Sequence, residues 1–358
     1  MGVHNLIKHI KSSFNQIFFN NELLHWNSNN NNLIKFIGID GSHFLHYCIN
    51  NNNNKKENGS SDITDIESNA EKISTIIFYY VERVCKIFRV EKNGVILYCV
   101  TDGYPPVSKN KIYEKRRDIY KEIDVKKLMK LSFKKLKIKI KNNLTDITFN
   151  FLTNFECNDK DRGEGEIELF KFANDLSINH NNNNDKNIII SLDSDILAMM
   201  IFVKNPSIIL LTPNFTTNTG YLYDLNTLSE KLNLNYDQLI NFIILHFMYF
   251  GSDYNYGLLN NNSSNSVGGY ELKTIIYDAV VRSTTLNFYN VLEIAKLLCN
   301  NNNFNEDDCY LNKQYFLEAI CAIIYYISLG KNKNILKVKS PLLYKKQNNK
   351  QQQLAATL

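Results

Sequence analysis

Short apolar runs that end in an acidic residue recur along much of the chain. Each run has the length of a β-strand and is continuously apolar. This pattern indicates a strand that is covered on both faces, because a strand with one face in water alternates apolar and polar residues. Segments with apolar residues at helical spacing separate the runs. This alternation predicts an α/β protein with a mostly parallel central sheet and helices on both faces. Strands are predicted at 35–40, 95–102, 146–155, 187–192 and 207–212, and helices at 4–20, 68–89, 166–178, 194–203 and 239–250. A further helix is predicted to start after Ser42, through Phe44, Leu45 and Tyr47.

Runs of asparagine separate several of these segments. We expect them to be loop insertions, because lengthening a surface loop changes the free energy of folding only slightly. Beyond about residue 258 the pattern is helical, and the chain ends in a stretch rich in Lys and Gln. The sequence therefore predicts three regions, which are a main domain over 1–257, a helical region over 258–340 and a disordered tail over 341–358.

Positive charge is concentrated in one segment. The chain of 358 residues carries a net charge of +5, but the segment from Lys109 to Lys141 holds 14 basic residues against 4 acidic ones. This segment thus has an excess of ten positive charges, and the rest of the chain has a net charge of −5. Such a distribution is typical of a protein that binds a polyanion at one place. Apolar residues at helical spacing predict one or two helices within 108–141, and we expect a basic helical arch over about 104–145 that projects over the active-site mouth.

The cysteines and the hydropathy pattern indicate an intracellular protein, in the cytoplasm or in the nucleus. The seven cysteines are scattered, odd in number and never spaced as Cys-x-x-Cys, which predicts reduced thiols rather than a disulfide framework. His43, His46 and Cys48 offer no fourth ligand, so we do not expect a zinc site. No apolar run approaches the roughly 18 residues that cross a bilayer, so no membrane partner is expected.

Acidic residues follow the apolar strands at three places. Asp40, Asp102 and Asp193 each close a predicted strand and precede Gly or Ser. Ligand sites of open parallel sheets lie at the carboxyl ends of the strands, so we expect these three carboxylates to meet in one crevice. Four further acids are expected to join them there, namely Glu164, Glu166, Asp195 and Asp253.

Seven carboxylates in one crevice repel one another, because like charges raise each other's pKa. Mg²⁺ and Mn²⁺ relieve this repulsion, since these cations prefer carboxylate oxygens. The sequence therefore predicts a site for two divalent cations, Mg²⁺ or Mn²⁺. Two ions roughly 3.5–4 Å apart activate a water and stabilise the leaving oxygen of a phosphodiester. The neighbouring basic segment favours nucleic acid as the substrate.

Six motifs along residues 1–257 resemble those of the 5′-nuclease superfamily, which includes flap endonucleases and Xrn-type 5′→3′ exoribonucleases. The motifs are Met1-Gly-Val, Asp40-Gly-Ser, Asp102-Gly-Tyr-Pro-Pro, Gly163-Glu-Gly-Glu, Asp193-Ser-Asp and Gly251-Ser-Asp-Tyr. The Xrn branch is closer, because its Asp-x-Asn-Gly-x-x-His-x-Cys motif is similar to the segment from Asp40 to Cys48, with Ser42 in place of Asn. The resemblance implies a PIN-like 5′-nuclease fold and a 5′→3′ exonuclease that acts on RNA or DNA with a free 5′ end.

The resemblance also implies roles for individual residues. The seven acids correspond to metal ligands. His46 corresponds to a catalytic residue that contacts the phosphate or orients water. Lys109 and Arg116 are implied to act in catalysis and, together with Lys115 and Arg117, to bind the 5′-phosphate.

Two other functions stay open at this point. The first is a structure-specific flap endonuclease acting on DNA, whose motifs are similar to Asp102-Gly-Tyr-Pro-Pro and Gly251-Ser-Asp-Tyr. The second belongs to another class, a catalytically inactive relative that binds nucleic acid through residues 109–141. The intact acids disfavour the second alternative, because a protein that does not cut has no need of seven mutually repelling carboxylates.

Overall fold

A computed structural model describes the central part of the chain, with gaps. Residue contacts divide the chain into a sheet unit and a second unit. The sheet unit comprises 16–105 and 111–228, and the second unit comprises 1–15, 106–110 and 229–358. The described residues are 6, 33–56, 65–103, 123–156, 163–179 and 185–250. The predicted boundary after residue 257, the predicted helix at 4–20 apart from Leu6, the predicted helical region and the predicted tail lie outside them.

Strands and helices alternate through the described residues, as the apolar pattern predicts. The strands are β1 (Leu33–Asp40), β2 (Arg89–Val90), β3 (Asn93–Val100), β4 (Thr148–Asn154), β5 (Asp185–Ile190), β6 (Ile208–Asn214) and β7 (Thr219–Tyr223). The helices are α1 (Gly41–Lys56), α2 (Ile66–Ile87), α3 (Val125–Asn143), α4 (Gly165–Asn179), α5 (Asp195–Val203), α6 (Leu225–Leu232) and α7 (Tyr236–Phe250).

The strands form one sheet in the order β4-β3-β1-β5-β6-β7, and the short β2 pairs with β1. All the pairs from β4 to β6 are parallel, and only β7 runs antiparallel to its neighbour among these strands. The predicted α/β class with a mostly parallel sheet is therefore confirmed. The register places Asp40 beside Val100, and Ile39 beside Ile190, so that β3, β1 and β5 end at nearly the same level.

One face of the sheet is covered by α1, α2 and α3. The apolar side chains of Ile37 and Ile39 point to this face and belong to one buried cluster with Phe44 of α1, Ile77 of α2 and Leu136 of α3. Each of these five side chains is at most 1% exposed. Burial of a large aliphatic or aromatic side chain contributes about 1.5–3 kcal/mol, so this cluster is a main source of stability for the sheet unit.

The other face is covered by α4 and α5. Phe36 of β1 packs against Phe172 of α4 with the ring centroids 5.3 Å apart. Gly38 follows on the same face, where a Cβ atom would lie 3.0 Å from Cδ2 of Leu169 and still closer to the Phe36 ring. The absence of a side chain at Gly38 thus lets α4 lie directly on the central strand. Helices on both faces are confirmed by this arrangement.

The basic helix α3 packs against the body of the sheet unit. Its buried side is apolar and includes Leu128, Met129, Phe133, Leu136 and Ile140. The helix predicted within 108–141 is present over 125–143 as α3, whereas its projection over the active-site mouth stays a prediction. The part of the predicted arch over 104–122 lies outside the described residues.

Three elements had no counterpart in the sequence pattern, and the first of them is the two-residue strand β2. No strand or helix is predicted between residues 213 and 238, where the structure has β7 and α6. β7 returns along β6 after a turn in which Asn218 has a φ of 52°. Asn is the commonest non-glycine residue at such a left-handed position. In the second unit, the helix predicted at 239–250 is present as α7.

Candidate metal centre

The carboxyl ends of three neighbouring strands bring together acids that are far apart in sequence. Asp40 is the last residue of β1, Asp102 follows β3 by two residues, and Asp193 follows β5 by three residues. Because β3, β1 and β5 are adjacent and parallel, all three acids lie at the same edge of the sheet. This is the edge at which open parallel sheets bind their ligands.

A serine connects the acids of β1 and β5. The hydroxyl of Ser191 donates to Oδ2 of Asp40 at 2.9 Å, and its oxygen accepts the backbone N–H of Asp193 at 3.0 Å. Ser191 is fully buried and Asp40 is 1% exposed. A buried hydroxyl that satisfies two groups at once holds both strand ends in one arrangement.

A second serine connects the acids of β1 and β3. The backbone N–H of Ser42 donates to Oδ1 of Asp40 at 3.2 Å, and the Ser42 hydroxyl accepts the backbone N–H of Asp102 at 2.9 Å. Asp102 Oδ1 in turn accepts the backbone N–H of Gly165 at 3.1 Å. A Cβ atom on Gly165 would lie 3.1 Å from Cγ2 of Val100, so glycine permits this close approach of α4 to the end of β3.

Three buried carboxylates form the densest part of the site. One oxygen from each of Glu166, Asp193 and Asp195 lies within 4.8 Å of the others, and each residue is at most 5% exposed. Two carboxylate charges at 4.8 Å repel by roughly 3–4 kcal/mol at an effective dielectric constant of about 20. Three such pairs would therefore destabilise the fold strongly unless positive charge offsets them.

Helix N-termini supply part of that positive charge. α1 begins beside Asp40, α4 begins at Gly165 beside Glu166, and α5 begins at Asp195. Asp193 lies at the same helix start, because its Oδ1 accepts the N–H of Asp195, the first residue of α5, at 3.0 Å. A helix N-terminus stabilises a nearby anion by about 0.3–1 kcal/mol, or about 2 kcal/mol when partly buried, which is less than the repulsion within the cluster.

The donor set therefore fits a divalent cation. Glu166, Asp193 and Asp195 offer oxygen atoms only, and hard cations such as Mg²⁺ and Mn²⁺ prefer such ligands. The close spacing of three buried carboxylates gives a cation several ligands with little rearrangement. The three residues thus form a group that could hold a metal ion.

His43 lies against Asp40 at the same edge of the sheet, and this contact was missed in the sequence. Its Nδ1 lies 2.6 Å from Oδ2 of Asp40 and 3.2 Å from Oγ of Ser191. Burial opposes the charged imidazole, but Asp40, Asp193 and Asp102 together raise the pKa of His43 above its ordinary value. Burial likewise opposes the charged form of Asp40, but His43, Ser191 and His46 hold the pKa of Asp40 below its ordinary value. The only signal in the sequence is that His43 stands where the quoted Xrn motif has Gly.

The structure locates several further predicted residues and leaves others undescribed. Glu164 is 7% exposed and directly precedes α4, which brings it to the same turn as Glu166. His46 lies on α1, close enough for its charge to act on Asp40. The remaining predicted site residues lie outside the described residues, namely Lys109, Lys115, Arg116, Arg117 and Asp253.

Two of the three described cysteines, Cys48 and Cys99, are buried, and Cys85 is partly exposed. Cys48, Cys85 and Cys99 are free. Burial raises the pKa of Cys48 to about 12, so that this thiol is protonated at neutral pH. The expectation of reduced thiols fits these three residues.

The first part of the chain is similar to a known protein family. Residues 1–139 match the model of the XRN 5′-3′ exonuclease N-terminus, which confirms over this part of the chain the resemblance drawn from the motifs. No curated protein matches the sequence. The strand edge and its acids thus belong to an α/β protein whose first 139 residues resemble an Xrn-type N-terminus.

Solved structures with a similar course of the chain include two DNA complexes and one metal-bound protein. The catalytic core of Rad2 in complex with DNA substrate is similar at 14% identity for complex II, over 90% of this chain and 86% of that chain, with a TM-score of 0.44. Complex III is similar at 13% identity, over 94% and 99%, with a TM-score of 0.42. The T5 D15 protein co-crystallized with metal ions is similar at 13% identity, over 84% and 95%, with a TM-score of 0.39.

Proposed function

We propose that the protein is a metal-dependent 5′→3′ nuclease that hydrolyses phosphodiester bonds and is most like an Xrn-type exoribonuclease. The observation that carries this proposal is the buried group of Glu166, Asp193 and Asp195 at the carboxyl edge of the sheet. The match of residues 1–139 to the XRN 5′-3′ exonuclease N-terminus supports the direction of attack, and the substrate is RNA or DNA with a free 5′ end.

The proposed cofactor is a pair of Mg²⁺ or Mn²⁺ ions. Glu166, Asp193 and Asp195 would hold one ion, and the other predicted ligands would complete the site, namely Asp40, Asp102, Glu164 and Asp253. Bound divalent ions supply an activated water and stabilise negative charge on the leaving oxygen. The protein contributes the fixed arrangement of the ligands, because Ser42 and Ser191 tie the three strand ends together through hydrogen bonds.

The proposed role of the basic residues is to bind the substrate. Lys109, Lys115, Arg116 and Arg117 follow Asp102 in sequence, and we infer that they bind the phosphate at the 5′ end of the strand. Arginine suits this task, because its guanidinium binds phosphate through two parallel hydrogen bonds. His46 would contact the phosphate or orient water from α1.

The mode of cutting can be tested with one set of labelled substrates. Purified protein with Mg²⁺ is incubated with single-stranded RNA, single-stranded DNA and a DNA flap, each with a 5′-phosphate and a 3′ label. An Xrn-type enzyme shortens single-stranded RNA progressively from the 5′ end, and a 5′-hydroxyl slows it markedly. A single cut at the base of the DNA flap, with equal rates for 5′-phosphate and 5′-hydroxyl, would instead favour a flap endonuclease.

The same experiment addresses an inactive relative. Such a protein would bind the substrates and leave all of them intact with either Mg²⁺ or Mn²⁺. Buried acids argue against this outcome, since a binding protein gains nothing from three carboxylates within 4.8 Å of one another.

A further inference from the structure

Both carboxylate oxygens of Asp40 have hydrogen-bond partners at the edge of the sheet. Its Oδ2 lies 2.6 Å from Nδ1 of His43 and accepts the Ser191 hydroxyl at 2.9 Å. Its Oδ1 accepts the backbone N–H of Ser42 at the longer distance of 3.2 Å. The two oxygens of Asp40 therefore differ in their partners. Oδ2 binds two side chains, and Oδ1 binds a backbone N–H.

The direction of each hydrogen bond follows from the chemistry of the groups. An ionised carboxylate can only accept, so the proton of the short contact lies on Nδ1 of His43. The single proton of Ser191 also points to Asp40, because the carboxylate oxygen 2.9 Å away can only accept, and the Ser191 oxygen accepts the N–H of Asp193. His43, Asp40, Ser191 and Asp193 thus form one continuous network across the ends of β1 and β5.

We propose that His43 and Ser191 are positioning residues that saturate Oδ2 of Asp40 and thereby direct Oδ1 toward the proposed cation site. This inference rests on the proposed metal dependence and adds two residues of this chain to it. The role does not require His43 to be a ligand or to exchange a proton during the reaction. It requires only a donor at the position of Nδ1.

The physical reason is the freedom of the last carboxylate torsion. The χ2 angle of aspartate has a broad, nearly two-fold preference, so an unsupported carboxylate samples many orientations. Two donors on the same oxygen remove that freedom before a cation binds. Hydrogen-bond partners of metal ligands typically change metal affinity by about 10- to 100-fold when they are removed.

The buried position of the pair makes this support effective. Asp40 is 1% exposed and the His43 side chain is 11% exposed, so water competes little for the contact. A hydrogen bond to a charged group in such surroundings is stronger than its counterpart in water. Substitution of His43 should therefore change the site more than it changes the rest of the fold.

The test measures Mn²⁺ binding to the full-length protein by electron paramagnetic resonance. His43→Ala removes the donor and should weaken Mn²⁺ binding by about 10- to 100-fold. His43→Asn places an amide N–H near the former position of Nδ1 and should restore most of the affinity. Ser191→Ala removes the other donor to the same oxygen and should weaken binding in the same direction. Asp175→Asn, an exposed acid on α4, serves as the control and should bind Mn²⁺ like the wild type.

The outcomes separate this inference from the proposed function. Wild-type affinity in His43→Ala, or equal losses in His43→Ala and His43→Asn, overturns the positioning role even if the wild type cuts nucleic acid. If His43→Ala does not fold, the other two variants decide. Weaker Mn²⁺ binding by Ser191→Ala, with most of the wild-type affinity kept in His43→Asn, supports the positioning role. Wild-type affinity in Ser191→Ala overturns it. Mn²⁺ binding with the expected dependence on His43, but no cleavage of any nucleic acid, leaves the positioning role intact and overturns the nuclease. A wild type that binds no Mn²⁺ overturns both.

Discussion

The hydroxyl of Ser191 donates to Oδ2 of Asp40 at 2.9 Å, although 151 residues separate them in the chain. This bond lies between the ends of two adjacent parallel strands, where the backbone ladder stops. The same hydroxyl accepts the backbone N–H of Asp193, so it also fixes the loop that follows β5. Hydrogen bonds within the protein therefore hold the acids of the site in place, and they oppose the electrostatic repulsion among the carboxylates.

The first prediction concerns this balance in the absence of metal. Asp195 is fully buried beside Glu166 and Asp193. Asp195→Asn should raise the free energy of unfolding of the metal-free protein by on the order of 1–3 kcal/mol, because it removes one charge from the cluster. Urea denaturation in the presence of a chelator measures the change. A variant less stable than the wild type would show that these charges are already compensated.

The second prediction concerns the same variant with metal present. A ligand at 100 times its dissociation constant stabilises a folded protein by about 2.7 kcal/mol. Mg²⁺ should therefore stabilise the wild type and have much less effect on Asp195→Asn. The control is Asp175→Asn, which should gain as much as the wild type. Equal gains in all three proteins would place the cation elsewhere.

The third prediction concerns the packing of α3. Leu136 is fully buried and Ile138, two residues along the same helix, is 52% exposed. Leu136→Ala should lower the free energy of unfolding by about 2–5 kcal/mol, and Ile138→Ala should change it by less than about 0.5 kcal/mol. The two denaturation midpoints give the comparison. Similar midpoints would mean that α3 is not packed on the body.

The fourth prediction separates two neighbouring lysines of α3. Nζ of Lys135 lies 3.0 Å from Oε2 of Glu67 and 3.4 Å from Oε2 of Glu71. Lys134 is exposed and forms no ion pair with a described residue. If α3 contributes to nucleic-acid binding, Lys134→Gln should weaken binding and reduce its salt dependence by up to about one counterion. Lys135→Gln should change the salt dependence less, because its charge is already offset. The salt dependence of fluorescence anisotropy measures both, and the reverse order would contradict the assignment.

Much of the fold could be predicted because its signals are local. Apolar runs such as those ending at Asp40 and Ile190 have the length and composition of buried strands, and the structure places strands there. The short strand β7 was missed because five residues with two tyrosines give little periodicity. The helix α3 could be predicted from apolar residues at helical spacing, but the spacing does not show which element covers its buried side, which includes Leu128, Leu136 and Ile140.

The candidate site could be predicted only in part. Acids that follow strands are recognisable one by one, and their meeting follows from parallel strand order. Ser191 was not recognised, because its contacts with Asp40 and His43 join residues 151 and 148 positions apart. His43 was not recognised either, although it lies only three positions from Asp40, because that spacing alone does not show that the two side chains meet. Side chains that act through another residue carry no distinct local pattern. Only a change in a motif, such as His43 at the position of Gly, hints at them.

The most direct test of the proposed nuclease compares the wild type with Asp193→Asn on 5′-phosphorylated single-stranded RNA in Mg²⁺. We expect the wild type to shorten the RNA and a chelator to stop it. Asp193→Asn should slow cleavage by at least about 100-fold, since even the partners of metal ligands contribute about 10- to 100-fold. Its affinity for RNA should stay close to that of the wild type, because the substitution removes a proposed metal ligand and no phosphate contact. Cleavage by Asp193→Asn at the wild-type rate, or cleavage by the wild type that continues in the chelator, would contradict a metal-dependent nuclease at this site.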